Sequence, residues 1–389
     1  MKKAVLGLIG AGHLANAQHL PNLMYTPNAF LKTVCDVRED AVKAAQEKYR
    51  IPSGTTDFRK VLADPEIQGV LVVTQAAQHA ELTIAALEAG KHVYVEKPLA
   101  ESVEQCQAII AAERKSGKHV AVGFNRRFAP AYRKAKELLD ANGGGFNFFY
   151  RISDTYSYTW GKDLPPGVRV FHETCHIFDI LRWFTGSEVS SVYCIDARGD
   201  DEAILLKFKS GPIATIMSSG YSTLDWPKEY MEVVAAKGGL TVDNFVEMWT
   251  YGLPNCERRY RYKGHFHPGR EWTQRYFYEA MGAEAMRVLY SHQTMRFELE
   301  KSKNPQRWGK VEVNFPETAE GRIYREFLEN RIASGYDVDK GWLESVDHFA
   351  HCILTGAKPE NAGAYDGLVA EQLANAVVES RKTGLPVKM

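Results

Sequence analysis

An apolar run of strand length, residues 3–9 (KAVLGLI), leads directly into Gly10-Ala11-Gly12-His13-Leu14-Ala15. This fits G-x-G-x-x-G/A, and the pattern makes three demands on a backbone. Gly10 makes a tight turn, Gly12 lacks a Cβ where a pyrophosphate would approach, and Ala15 is small enough for the next helix to pack on the strand. A helix N-terminus placed there offers free amide groups to an anion. A second apolar run ends in Asp36 (FLKTVCD), at the distance where a carboxylate meets the adenosine ribose hydroxyls. That acid favours NAD over NADP by charge repulsion, while Arg38 keeps NADP open.

Alternation continues with helix 39–49, strand 69–74, helix 79–89, strand 91–98, helix 102–116 and strand 119–124. β-rich apolar runs separated by helical patterns predict a doubly wound parallel sheet covered on both faces. Ligands of such sheets lie beyond the carboxyl ends of the strands, where Thr74, Glu96, Lys97 and Asn125 fall.

Composition removes several alternatives. Lys plus Arg and Asp plus Glu each number 48, so no general basic excess points to nucleic acid or to an anionic membrane. The apolar start of the chain is broken by Gly7, Gly10 and Gly12, which argues against a secretory signal, and no run is long enough to span a bilayer. Six scattered cysteines without a C-x-x-C pair suit a reducing cytoplasm.

Residues 172–176 read His-Glu-Thr-Cys-His, formally the H-E-x-x-H signature in which two imidazoles grip zinc and Glu173 acts on bound water. A third ligand is required and nothing downstream clearly supplies it, so no metal is expected.

The glycine turn, Asp36, EAGKHVYVEKP at 88–98, GFNRRF at 123–128 and CHIFDILRW at 175–183 together resemble the Gfo/Idh/MocA family, the glucose-fructose oxidoreductase and inositol dehydrogenase group. The resemblance covers most of the chain and is strongest over residues 1–210. It implies an N-terminal Rossmann domain (1–125) and a C-terminal α+β domain (126–389) whose large, mostly antiparallel open sheet serves oligomerisation, as a homodimer or homotetramer. It implies NAD as cofactor, held by Gly10, Gly12, His13, Leu14, Asp36, Arg38, Thr74, His79, Glu96, Lys97 and Asn125, and a cis Lys97–Pro98 bond. The chain departs from the family where Thr74-Gln75-Ala76-Ala77-Gln78-His79 replaces Thr-Pro-Asn-x-x-His.

The resemblance also gives the chemistry. Oxidising a sugar hydroxyl needs hydride loss from carbon and proton loss from oxygen, and a histidine suits the second task. His176 is the counterpart of the family's base, with Lys97 polarising the hydroxyl. The family's D-x-x-x-H has His172 in place of Asp, so Glu173 is the candidate to tune His176, and Asp179 lies farther out. The expected activity is an NAD-dependent oxidation of a sugar, polyol or derivative. A redox-neutral glycoside hydrolysis through transient oxidation is the alternative; a zinc hydrolase and a non-catalytic NAD-binding regulator stand behind it.

From residue 146 the chain reads as consecutive strands. An aromatic and charged loop, DTYSYTWGKDLPPGVRV, is placed over the crevice, with Tyr156, Trp160, Lys162, Asp163, Arg169 and His172 as sugar contacts, joined by Arg127. Residues 252–312 read as an insertion with a helix near Trp272 to Tyr290, whose Arg and His content suggests an anionic substrate. Residues 318–333, 340–355 and 366–382 read as closing helices.

Overall fold

The computed structural model describes residues 2–158, 161–222, 228–262 and 339–389. Trp160, most of the 252–312 insertion and the 318–333 helix lie outside the described residues.

The first half is an α/β unit. Strands β1 (Ala4–Ile9), β2 (Ala29–Cys35), β3 (Ser53–Thr55), β4 (Gly69–Val72), β5 (His92–Val95) and β6 (Val120–Val122) form one parallel sheet in the order β3-β2-β1-β4-β5-β6. Order reverses between β1 and β4, which opens a crevice at their carboxyl ends. Helices α1 (Leu20–Leu23), α2 (Glu39–Tyr49), α3 (Phe58–Ala63), α4 (His79–Glu88) and α5 (Val103–Ser116) fill the connections. Boundaries follow local chemistry. Ser102 caps α5 by accepting from the Gln105 amide, and Gly117 ends it in the left-handed region at φ 65°.

Side-chain period 2 explains why both sheet faces are apolar. Val70, Val72, Val93 and Val95 point to a layer made by α3, α4 and α5. Leu6, Leu8, Leu71 and Tyr94 point the other way, to Leu20, Val42 and, from far along the chain, Val346, Phe349 and Ala350.

The second half holds α6 (Pro130–Ala141), β7 (Gly145–Ser153), α7 (Cys175–Thr185), β8 (Val189–Asp196), β9 (Asp201–Phe208), β10 (Ile213–Ser219), β11 (Glu229–Ala235), β12 (Gly238–Asp243), β13 (Glu247–Tyr251) and β14 (Arg259–Arg261). Then come α8 (Trp342–Thr355), α9 (Ala364–Thr383) and β15 (Val387–Lys388). The nine strands order as β14-β13-β12-β11-β7-β10-β9-β8-β15, antiparallel except for the β7–β10 pair. Its inner face, with Phe148, Tyr150, Ile204, Leu206, Met231 and Val233, packs on α6, α7 and α9. Helix α8 belongs to the core of the first sheet, and α9 spans both cores, with Leu368 and Ala370 in one and Leu373 and Val377 in the other. The two sheets are therefore tied together by the end of the chain. Among the described residues no helix is long and apolar enough to cross a membrane, and all six cysteines are free.

Candidate active site

The glycine turn follows β1 as the motif requires. At Gly10, φ is 100° and an added Cβ would sit 2.2 Å from the Val73 carbonyl oxygen, so only glycine fits. Gly12 is different: nothing lies within 4 Å of where its Cβ would be. The turn is braced by Asp36, whose Oδ2 accepts from the Ala11 amide at 2.8 Å while Oδ1 accepts from the Arg38 amide at 2.9 Å. Residues 13–23 continue as a helical stretch with a wider, π-type turn at Ala15–His19, and Ala15 is buried against the sheet. His13 and Arg38 are exposed and Leu14 and Thr74 half-buried around this opening. The open Gly12, the braced turn and the Asp36 carboxylate fit a dinucleotide.

Three other residues expected at the cofactor are buried beneath this rim. Glu96 is 2% exposed; its Oε1 pairs with His19 Nε2 at 2.8 Å and its Oε2 accepts from the Lys97 amide at 3.2 Å. His79 lies between the carbonyls of Pro98 (2.7 Å from Nδ1) and Thr74 (3.2 Å from Nε2), and burial lowers its pKa. Asn125 donates from Nδ2 to the Lys340 carbonyl at 2.8 Å, and its Oδ1 is buried without a partner among the described residues. These groups build the crevice floor and hold the loops after β4, β5 and β6.

Lys97 follows β5 with the Lys97–Pro98 peptide in the cis form, as expected. Its Nζ donates to the His172 carbonyl at 2.5 Å and stands 4.0 Å from Glu173 Oε1, with its side chain 15% exposed. His176, on the first turn of α7, is 4% exposed and meets Phe124 edge-on. Its Nδ1 is buried with no partner among the described residues. Burial, then the positive charge of Arg126 and of Lys97, hold its pKa well below the ordinary imidazole value. Both favour the neutral imidazole, the form that can take a proton.

The His-Glu-Thr-Cys-His string does not converge on one point. Residues Val170–Thr174 form a π-type turn before α7. His172 Nδ1 faces the Tyr156 hydroxyl at 2.9 Å, Glu173 faces lysines, and His176 faces Phe124. Among the described residues no three His, Cys, Asp or Glu side chains group as metal ligands. Glu173 Oε2 accepts from Lys228 Nζ at 2.7 Å, so its carboxylate is drawn to Lys228 and Lys97 instead of the imidazole. The same charges, outweighing its burial, lower its pKa.

Several expected sugar contacts are buried and paired within the protein. Arg169 is 0% exposed, with Nη1 donating to Ser218 Oγ at 2.6 Å and Nε to Asp154 Oδ1 at 3.3 Å. A cation that deep needs a fixed anion, and Asp154 is that anion. Arg127 is likewise committed to Asp179, donating from Nε at 2.9 Å, and to Asp366 at 3.1 Å. Tyr156 is buried at 1%, with its hydroxyl 2.9 Å from His172 Nδ1. Lys162 and Asp163 are exposed in the turn that follows.

The residues missed by sequence reasoning are Lys228, Asp154, Arg126, Glu229 and His19. Arg126 makes a paired bond to the fully buried Glu229 (2.8 and 2.7 Å), which also accepts from Tyr150 (2.7 Å) and Lys340 (3.1 Å). Only GFNRRF carried a hint, and there Arg127 was chosen over its neighbour.

Residues 5–124 match the family described as "Oxidoreductase family, NAD-binding Rossmann fold". The chain is 31% identical over 256 residues to Uncharacterized oxidoreductase YrbE of Bacillus subtilis, covering 62% of this chain and 74% of that protein. It is 30% identical over 261 residues to Myo-inositol 2-dehydrogenase of Thermotoga maritima, covering 62% of this chain and 76% of that one. Among solved structures, scyllo-inositol dehydrogenase from Lactobacillus casei with bound NAD(H) and scyllo-inositol superposes with a TM-score of 0.69 at 20% identity, covering 100% of this chain and 99% of that chain. The family match, which takes in the glycine turn and Lys97, and two relatives at least 30% identical along most of their length leave one conclusion: the chain belongs to the Gfo/Idh/MocA family of oxidoreductases, with an NAD-binding Rossmann fold.

Proposed function

We propose that this protein oxidises a secondary hydroxyl of a polyol or sugar, with His176 as the base. The carrying observation is a His176 imidazole 4% exposed, with its Nδ1 buried and unpartnered among the described residues, and a Lys97 ammonium fixed by the carbonyl of His172 one turn before it. NAD, when bound over the open Gly12, supplies the hydride acceptor.

The chain's own residues do the rest. Lys97, fixed by the His172 carbonyl, points its ammonium into the crevice, where hydrogen bonding to the substrate oxygen favours the developing alkoxide. His176 takes the proton, and the cations that disfavour its charged form speed its return to neutrality. The names of similar proteins, inositol 2-dehydrogenases among them, support a cyclic polyol as substrate. Exposed apolar residues on the outer face of the second sheet support a homo-oligomer.

The test is NADH formation across inositols, aldoses and their glycosides. Growth of NADH with a polyol, abolished in His176→Asn, is the expected result. Release of an aglycone without accumulating NADH would replace it with the redox-neutral hydrolysis.

A further inference from the structure

Five charged side chains of alternating sign run through the second half of the protein to Lys97. Arg169 brings Nη2 within 3.3 Å of Asp154 Oδ2. Lys228 Nζ lies 2.8 Å from the same oxygen and donates to Glu173 Oε2 at 2.7 Å. Glu173 Oε1 stands 4.0 Å from Lys97 Nζ. The members come from five places: the end of β5, the end of β7, the loop before α7, the π-type turn and the residue before β11.

Lys228 is the link with the firmest base. Its carbonyl accepts from the Ser153 amide at 2.9 Å, and the next residue, Glu229, pairs with Ile152 in the β7–β11 ladder. Its side chain remains 26% exposed, and it bridges Glu173 to Asp154, which is itself paired with Arg169. Burying the Glu173 carboxylate is costly unless it is paired, and Lys228 makes the shorter of its two ion pairs.

We propose that Lys228 is a positioning residue for the reaction: it holds the Glu173 carboxylate with its second oxygen toward Lys97, and it sets the charge balance around the His176 imidazole. The proposal rests on His176 being the base. Besides its burial, the largest influences on that imidazole are the cations Arg126, Lys97 and Lys228 and the carboxylate Glu229, with the Phe124 ring against its edge; Glu173 acts through the two lysines it pairs with. Removing Lys228 deletes one cation and leaves Glu173 and Asp154 under-compensated, and both changes favour a protonated His176. Neutralising Glu173 does the reverse, because it removes a negative charge that Lys97 and Lys228 share.

The experiment compares the pH profile of kcat/KM and NADH affinity in the wild type, Lys228→Arg, Lys228→Met and Glu173→Gln. Lys228→Met is expected to raise the acid limb by about one pH unit, with NADH affinity unchanged. Lys228→Arg keeps the limb in place, and Glu173→Gln moves it down. A purely structural role would lower the melting temperature of Lys228→Met without moving the limb. An unmoved limb in a folded, NADH-binding Lys228→Met overturns the proposal, as do shifts of equal sign in Lys228→Met and Glu173→Gln. If Lys228→Met does not fold, failure of Glu173→Gln to lower the limb overturns it alone. If the wild type binds NADH but oxidises no polyol, the functional reading fails. The imidazole shift is then read directly by NMR of labelled histidine, assigned through His176→Asn.

Discussion

Lys97 Nζ donates to the backbone carbonyl of His172 at 2.5 Å, so a side chain from the first sheet is fixed by the turn that delivers His176. The two groups proposed to act on the substrate thereby share one anchor, although 79 positions separate Lys97 from His176 in the chain. Lys97→Met should lower kcat by roughly 10²–10³-fold by removing the group that favours the alkoxide. Glu173 keeps Lys228 as partner in this variant, so the melting temperature should stay close to that of the wild type. Steady-state kinetics beside thermal unfolding decides it; a large loss of stability with little loss of kcat would make Lys97 a structural residue.

Cofactor choice turns on Asp36. Two of its lone pairs are taken by the Ala11 and Arg38 amides, and its side chain is still 11% exposed at the mouth of the glycine turn. A 2′-phosphate would meet that carboxylate, whereas Arg38, with Nε 3.5 Å from Asp36 Oδ1, is 60% exposed. Asp36→Ser should shrink the preference for NAD over NADP by roughly tenfold or more, read as the ratio of kcat/KM values. An unchanged ratio would place discrimination elsewhere.

Acid sensitivity has an identifiable part. His92 Nδ1 accepts from the His119 amide at 3.2 Å, which requires a neutral ring, and burial lowers the His92 pKa to about 4. The folded state thus binds fewer protons than the unfolded chain, so this contribution to stability falls as pH drops from the ordinary imidazole value toward about 4. Glu202 and Glu371, raised to about 7 by burial, act oppositely in the same window. The informative quantity is therefore a difference. His92→Asn should lose less stability than the wild type between neutral and acidic pH; parallel curves would remove His92 from the account.

On the outer face of the second sheet, Leu205 stands opposite Thr215 and Tyr193, and Thr215 opposite Phe149. Leu205, Phe149, Ile195, Ile213 and Val234 are exposed there, an apolar area suited to a second copy of the chain. Leu205→Glu should convert an oligomer to a smaller species in light scattering without changing the circular dichroism spectrum. A wild-type monomer would exclude this face as an interface.

Much of this was legible in the sequence because local rules carried it. The glycine turn and the apolar runs of the first sheet rest on short segments whose meaning is self-contained, whereas the cis Lys97–Pro98 expectation came from the family resemblance. What stayed hidden depends on pairing across distance. No pattern near Lys228 announces that it will meet Glu173, because their proximity is created by the register of β11 on β7. Arg169 and Arg127 were hidden in the same way: an arginine near aromatic residues reads as a sugar contact, while its pairing with Asp154, 15 positions earlier in the same loop, or with Asp179, 52 positions on, is set by the fold. The parallel β7–β10 pair was equally invisible, since strand lengths carry no partner information.

Arg169 gives the sharpest separation between a crevice wall and a buried strut. Its guanidinium is fully enclosed, paired with Asp154 and donating to Ser218, which also meets Thr174 Oγ1 at 3.0 Å just before the His176 helix. Arg169→Met keeps apolar bulk but leaves Asp154 with Lys228 as its remaining cation and Ser218 short of a donor. Breaking a buried pair from one side costs about 3–5 kcal/mol, so urea unfolding should shift by an amount of that order. The KM for a polyol should change little in whatever fraction remains folded. A raised KM with native stability would instead return Arg169 to the substrate.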